Sequence, residues 1–426
     1  MLSSAWAALL LGTFALLSAE GCKIDEDCSL LGRCDAATST CKCDAGWRGA
    51  DCGELELLPA APSSGYNLTA QGISTWGANI FPVHGSEDGD GDEWHMLASE
   101  FENKCGIDHW SPNSAIVHAT STSGAAGPYK RQSVAVIPFA HNPKVVRAPD
   151  GTWLMYTIGV QLPASDLFNC SQEAGSAIRG EYTDPAQSGR HYSGLDASTN
   201  LPPGRNPGNR ESNVTLYTSA TSLAGPWERY GVVLGPDFEG TWDEDTSNPS
   251  PWVLTNGTVL LMYRGCVVHG GGCDKEYIGI ASAPSWKGPY RRLGGGQPIL
   301  PTVPAEDPSL WVDRRGHYHF LMHYIPDAEL VARHAFARSY GGPWSIRESS
   351  IPYNSTVAFN DGSVVTFEKR ERPHLVWDDN GNPTHLVTGV VIPSGQHGYA
   401  GKSFTLVQPV APSSSTAAVG GGTAVL

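Results

Sequence analysis

Apolar residues in this chain come in short runs, each cut by a turn, and the turns recur in two patterns. In the first, an Asn-Pro, Asp-Pro or Arg-Pro step opens an apolar strand, a tight turn follows, and a second apolar strand returns. The step stands at Asn142-Pro143, Asn248-Pro249, Asp307-Pro308 and Arg372-Pro373. The turns that follow carry Asp150-Gly151, Asn256-Gly257, Arg315-Gly316 and Asn380-Gly381. Glycine suits a hairpin tip that needs positive φ. The second pattern is a small-residue strand ending in Gly-Pro-aromatic: Gly127-Pro128-Tyr129, Gly225-Pro226-Trp227, Gly288-Pro289-Tyr290 and Gly342-Pro343-Trp344. The two alternate. A divergent first copy runs from Trp76 through Trp94 to the Gly127 turn. Five units of about four strands each predict an all-β fold, a five-bladed β-propeller over residues 65–410.

The pattern breaks between Val160 and Arg210, which reads as a long insertion on the second blade. Residues 411–426 are mostly Ser, Thr, Ala and Gly and read as a disordered tail. At the other end, Ala5 to Leu17 is almost unbroken apolar sequence. It suits a signal-peptide core and falls short of the roughly 20 residues that span a bilayer. Residues 1–21 are therefore read as a signal peptide, and no membrane span is expected. Net charge is −15 without a basic cluster, which argues against nucleic acid and anionic membrane as partners.

The ten cysteines support a secreted, extracellular protein. Six crowd the start: Cys22, Cys28, Cys34, Cys41, Cys43 and Cys52. Spacing alone leaves fifteen connectivities open. Their C-x5-C-x5-C-x6-C-x-C-x8-C spacing and the turn at Gly46-Trp47-Arg48-Gly49 resemble an EGF-like module over residues 22–53. The resemblance implies Cys22–Cys34, Cys28–Cys41 and Cys43–Cys52. Ala19-Glu20-Gly21 stands where calcium-binding EGF modules carry acidic residues. The module is therefore read as calcium-free, a spacer or a protein contact site, with residues 54–64 as linker. Cys266 and Cys273 flank a hairpin tip and are expected to pair, which leaves Cys105 for Cys170. Sequons at Asn67, Asn169, Asn213, Asn256 and Asn354 are glycosylation acceptors wherever they are exposed.

The Pro steps and Gly-aromatic turns resemble the five-bladed propellers of the family 43 glycoside hydrolases. That family places an aspartate base, a pKa-tuning aspartate and a glutamate acid at the starts of the inner strands. An inverting hydrolase needs one carboxylate to activate water and another, protonated, for the leaving oxygen, about 6.5–9.5 Å apart. Glu306 falls at the family's acid position. Asn142 and Asn248 fall where the family has Asp, and the first blade offers Asn79. Asp307 and Glu371 remain as sources of the second carboxylate. Asn142, Asn248, His141, Arg372 and Asn79, beside the Pro steps, are the candidate sugar contacts, with His374 next to them. Trp76, Trp110, Trp252 and Trp311 are candidate stacking platforms or blade core.

No metal-ligand spacing is met by His95, Glu100, Cys105, His109, Trp110, Asn113 and His118, which are read as a rim. His317, His319 and His323 sit on one strand, with His319 and His323 on one face, and are read as solvent-facing or as a metal site. Asp88, Asp90 and Asp92 fail the EF-hand pattern at Glu93 and Ser99. No metal or cofactor is expected. The leading reading is a carbohydrate-active propeller of glycoside-hydrolase type acting on a glycan or polysaccharide. Its rival is a non-catalytic glycan- or protein-binding protein, and a propeller lyase ranks below both.

Overall fold

A computed structural model describes residues 21–83, 93–162, 167–170, 213–235, 241–269, 272–325, 331–393 and 402–412. The expected signal peptide (all but Gly21), the Asp88–Asp92 turn, most of the insertion and most of the tail lie outside the described residues.

Five antiparallel sheets stand around a common axis, each built in chain order from the inside outward. Blade one is Thr75–Val83, Glu93–Phe101, Ser114–Ser121 and Lys130–Val136. Blade two is His141–Arg147, Trp153–Ile158, Val214–Ser219 and Glu228–Leu234. Blade three is Asp245–Val253, Val259–His269, Gly272–Ala283 and Arg291–Arg292. Blade four is Ala305–Val312, Tyr318–Tyr324, Ala332–Ala337 and Ser345–Ile346. Blade five has three strands, Lys369–Trp377, Pro383–Val391 and Ser403–Pro409. The first sequence pattern marks the inner hairpin of blades two to five, and the second marks the turn into the outermost strand of blades one to four. The chain is therefore the five-bladed propeller that the repeats predict. Its core is a set of apolar layers between neighbouring blades. Leu97, Ile116 and Val136 meet Val145, Met155 and Tyr217 in one of them.

The ring closes where the segment before blade one meets the last strand of blade five. Tyr66 bridges Thr405, and Leu57 bridges Val410, so the segment before blade one runs beside the outer strand of blade five. Tyr66 is fully buried and its hydroxyl donates to Glu100 at 2.6 Å. Tyr66→Phe should cost about 1–3 kcal/mol, because the buried Glu100 loses a donor. Urea unfolding of the pair of proteins measures it.

The six N-terminal cysteines pair Cys22–Cys34, Cys28–Cys41 and Cys43–Cys52, and the rest pair Cys105–Cys170 and Cys266–Cys273. The cysteine module, read as a spacer or a contact site, is docked on the propeller. Trp47 is buried against Trp311 of blade four, the rings stacked at 6.1 Å, with His334 at 5.6 Å. Leu31, Leu55, Leu321, Val331, Leu375 and Leu386 share that core. Arg315 donates to the carbonyls of Leu30 and Gly32 and to Asp44. Arg338 pairs with Glu26 and Arg347 with Asp27. The expected linker is likewise bound: Glu54–Leu55 pairs with Trp47–Arg48, and Leu55 donates to Pro352. This contact lies at the exit end of the inner strands, away from the Pro steps.

Among the sequons, Asn67, Asn169, Asn256 and Asn354 are exposed, whereas Asn213 is buried.

Candidate functional site

Each inner strand breaks register at its start, and the residue at the break has positive φ: Gly77, Asn142, Asn248, Asp307 and Arg372, between +49° and +63°. Asparagine and aspartate tolerate this conformation, and the proline that follows four of them has no N–H to lose at a bulge. The five bulges therefore stand at the same end of the inner strands. Gly77 is glycine for a second reason: a Cβ there would meet Arg372 Cγ at 2.7 Å.

The carboxylates converge at this end of the axis. One ligand atom from each of Glu306, Asp307, His323 and Glu371 lies within 4.8 Å of the others, so the four could together hold a cation. His323 stands opposite Glu306 on the second strand of blade four. Its Nδ1 is 3.1 Å from Glu306 and 3.8 Å from Glu371. Asp307 accepts from Arg372 Nη1 at 2.7 Å, from the Arg372 backbone N–H at 3.0 Å and from Asn248 at 2.7 Å. Lys369 Nζ is 4.0 Å from Glu371.

Their charges differ. Burial raises Glu306, but the hydrogen bond and charge of His323, with Arg264 and Arg372 beyond, outweigh it and hold the carboxyl at about 2. Burial pushes Glu371 up to about 7, against the pull of His323 and Lys369. Burial lowers His323, yet Glu306 and Glu371 lift it to about 9. Burial also pushes Asp307 up and Arg372 pulls it back. Three donors on its two oxygens favour the ionised form. At neutral pH Glu306 is therefore charged, the opposite of the state the sequence reading gave it.

The other expected residues form the frame. Asn248 spans Asp307 and Glu306, the latter at 3.4 Å. Asn142 donates its backbone N–H to Ser99 Oγ, and its carbonyl accepts from Arg372. His141 is buried, bonded to Ser114 and covered by Trp110, whose ring is 4.9 Å away. Asn79 lies one layer deeper, bonded to His374 at 2.8 Å and to the Val145 N–H. Lys144, in the same layer, donates to Pro373 O, and burial holds its amine well below the lysine range.

Trp110 is a half-buried tryptophan on this side. Trp76 is buried in blade one, and Trp311 belongs to the docked module's core. Residues 105–113, tied down by Cys105–Cys170, lie over Trp76 and His141, while His95, Glu100 and His118 lie within the blade-one sheet. The histidines divide. His323 serves the carboxylates, and His317 and the fully buried His319 gather about Asp313 near the module, a second group that could hold a cation. Sequence reasoning missed Arg264 and Glu276. Arg264 forks onto Glu276 at 3.1 Å through two nitrogens and reaches Asp245 and Ser247.

Among known families, residues 22–52 match the model of the EGF-like domain. No curated protein matches the chain. A family 117 glycoside hydrolase of the marine bacterium Zobellia galactanivorans superposes with a TM-score of 0.51 at 16% identity, over 84% of this chain and 90% of that one. A Dyadobacter fermentans protein of unknown function gives 0.50 at 12% identity, over 82% and 97%. An exo-β-1,3-galactanase of Phanerochaete chrysosporium gives 0.46 at 12% identity, over 83% and 64%. The chain is thus an EGF-like module docked on a five-bladed propeller of the fold found in glycoside hydrolases.

Proposed function

We propose that this protein is a secreted, carbohydrate-active propeller that cleaves glycosidic bonds in an extracellular glycan or polysaccharide. The observation that carries the reading is the convergence of Glu306 and Glu371 beside His323 with opposite protonation tendencies. Pairs of carboxyl groups driven apart in this way mark acid and base roles. Glu371 holds a proton for the leaving oxygen, and Glu306 is the charged partner. The acid role moves from Glu306, where the family resemblance put it, to Glu371. Their closest oxygens, within 4.8 Å, are nearer the ~5–5.5 Å of a retaining pair than the spacing that admits a water. Glu306 then attacks the anomeric carbon as the bond to the leaving oxygen breaks. Water releases the sugar with Glu371 as base. The five disulfides suit an oxidising compartment, and no helix among the described residues is long and apolar enough to cross a membrane.

The test is reducing-sugar release from arabinan, xylan, fructan, mannan and galactan, with Glu371→Gln and Glu306→Gln alongside. Wild-type activity that falls by about 10²–10⁴ in either variant supports the reading. The rate should decline as pH rises through about 7, where Glu371 loses its proton. A folded protein inactive on every glycan supports a second reading, a glycan-binding protein. The observation favouring that reading is that Asn142 and Asn248 stand at two carboxylate positions of the resembled family and Asp307 is committed to Arg372.

A further inference from the structure

The four residues of the carboxylate cluster come from blades four and five alone. Glu306 and Asp307 stand near the start of Ala305–Val312, His323 on Tyr318–Tyr324, and Glu371 on Lys369–Trp377. Their mutual spacing is therefore the spacing of these two blades. The apolar layer between the blades includes Trp311, Leu321, Ala332 and Leu375, and Leu31, Trp47 and Leu55 of the cysteine module complete it. Among the described residues, the layers between blades one and two, two and three, and three and four are built without the module. The layer is continuous along the seam. At one end Trp47 stacks on Trp311, five residues from Glu306 and about 16 Å away at the rise of a strand. At the other end Ala332 pairs with His323 itself. The module holds both blades. Arg315, on the inner hairpin of blade four, donates to the carbonyls of Leu30 and Gly32. On the blade-five side, Gly46 has φ of +78°, and a Cβ there would meet Pro383 Cγ at 2.7 Å and Val410 Cγ1 at 2.8 Å.

We propose that the docked module braces the site, and that Trp47 is a positioning residue that sets how blade four stands against blade five. The inference rests on the hydrolase reading for its effect on turnover, but its effect on geometry does not depend on turnover. Protein interiors are close-packed, so a gap at one end of a layer is passed along it as a shift of the elements on either side. Without the Trp47 ring the two blades settle into the gap. Glu371 and Arg372 then move against Glu306 and Asp307, and a displacement of about 1 Å between reacting groups is enough to slow chemistry.

Trp47→Ala in the full chain, measured below its unfolding transition, tests this. kcat should fall by about tenfold to 10²-fold with KM near the wild-type value, the mark of misplaced reacting groups and not of lost binding. Trp47→Phe refills most of the gap and should recover most of the rate. Amide NMR reads the geometry without turnover. The Arg372 N–H, which donates to Asp307 at 3.0 Å across the seam, should shift in Trp47→Ala and return in Trp47→Phe. The Val145 N–H, in the layer between blades one and two, should stay in place. Should Trp47→Ala not fold, Arg315→Gln loosens the module with the ring still in the layer and should move the Arg372 signal by less. A folded variant whose Arg372 signal matches the wild type refutes the brace, and so do equal shifts at Arg372 and Val145. An Arg372 shift with kcat unchanged overturns the positioning role. If the Arg372 signal alone moves and the wild type cleaves no glycan, the hydrolase reading fails and the brace stands.

Discussion

Arg372→Leu should destabilise the fold by about 3–5 kcal/mol, the cost of stranding one member of a buried ion pair. Arg372 and Asp307 are 2% and 4% exposed, and their contact at 2.7 Å lies on the propeller axis. Leucine keeps apolar volume over Gly77 but leaves Asp307 with only Asn248 and one backbone N–H. Arg372 itself has φ of +63°, a conformation that an ordinary side chain adopts only when its surroundings insist. The loss should shrink in the double variant Arg372→Leu with Asp307→Asn, since asparagine suits the same backbone and carries no charge. Urea unfolding of the wild type, both single variants and the double variant closes the cycle. A loss under about 1 kcal/mol for the first variant would mean that the pair holds little.

Trp47→Ala should cost a similar amount, about 3–5 kcal/mol, and the loss should appear in the unfolding of the propeller itself. Trp47 is 5% exposed and lies against Trp311 and His334 of blade four. The alanine variant leaves a cavity between module and blade, with Arg315, Arg338 and Arg347 still bridging the rim. Calorimetry separates the two possibilities. A docked module predicts one transition that moves down as a unit. A tethered spacer predicts that the propeller's transition stays in place.

The blade count, the inner-strand bulges and the module were legible because each leaves a local signal. Proline removes a ladder N–H, asparagine and glycine accept positive φ, and cysteine spacing survives any amount of side-chain change. Docking left no such mark. Trp47 reads as part of a module turn and Trp311 as blade core, and neither names the other. The candidate cluster was legible where it rests on inner-strand starts, which is where Glu306, Asp307 and Glu371 stand. It was hidden where second and third strands supply side chains, hence Arg264 and Glu276. His323 was within reach. Counting back from the Arg315-Gly316 turn, with one residue absorbed by the bulge at Asp307, sets it opposite Glu306. Its charge was not within reach, because only proximity to Glu306 and Glu371 makes it a cation, and that cation is what holds the Glu306 carboxyl low.

The seam at which Tyr66 meets Thr405 sets an order of events during synthesis. The segment that seals the ring leaves the ribosome before any of the blades, and its partner strand, Ser403–Pro409, leaves after every other blade strand. Until that strand emerges, blades one to four can stack, but blade five is incomplete and the Tyr66 segment has no strand to pair with. Glu371 and Arg372 arrive late as well, so Asp307 waits for its counter-ion. A nascent chain stalled before Glu371 should therefore be an open horseshoe with an unpaired carboxylate at its centre, sensitive to protease and to capture by chaperones, whatever the state of its early disulfides.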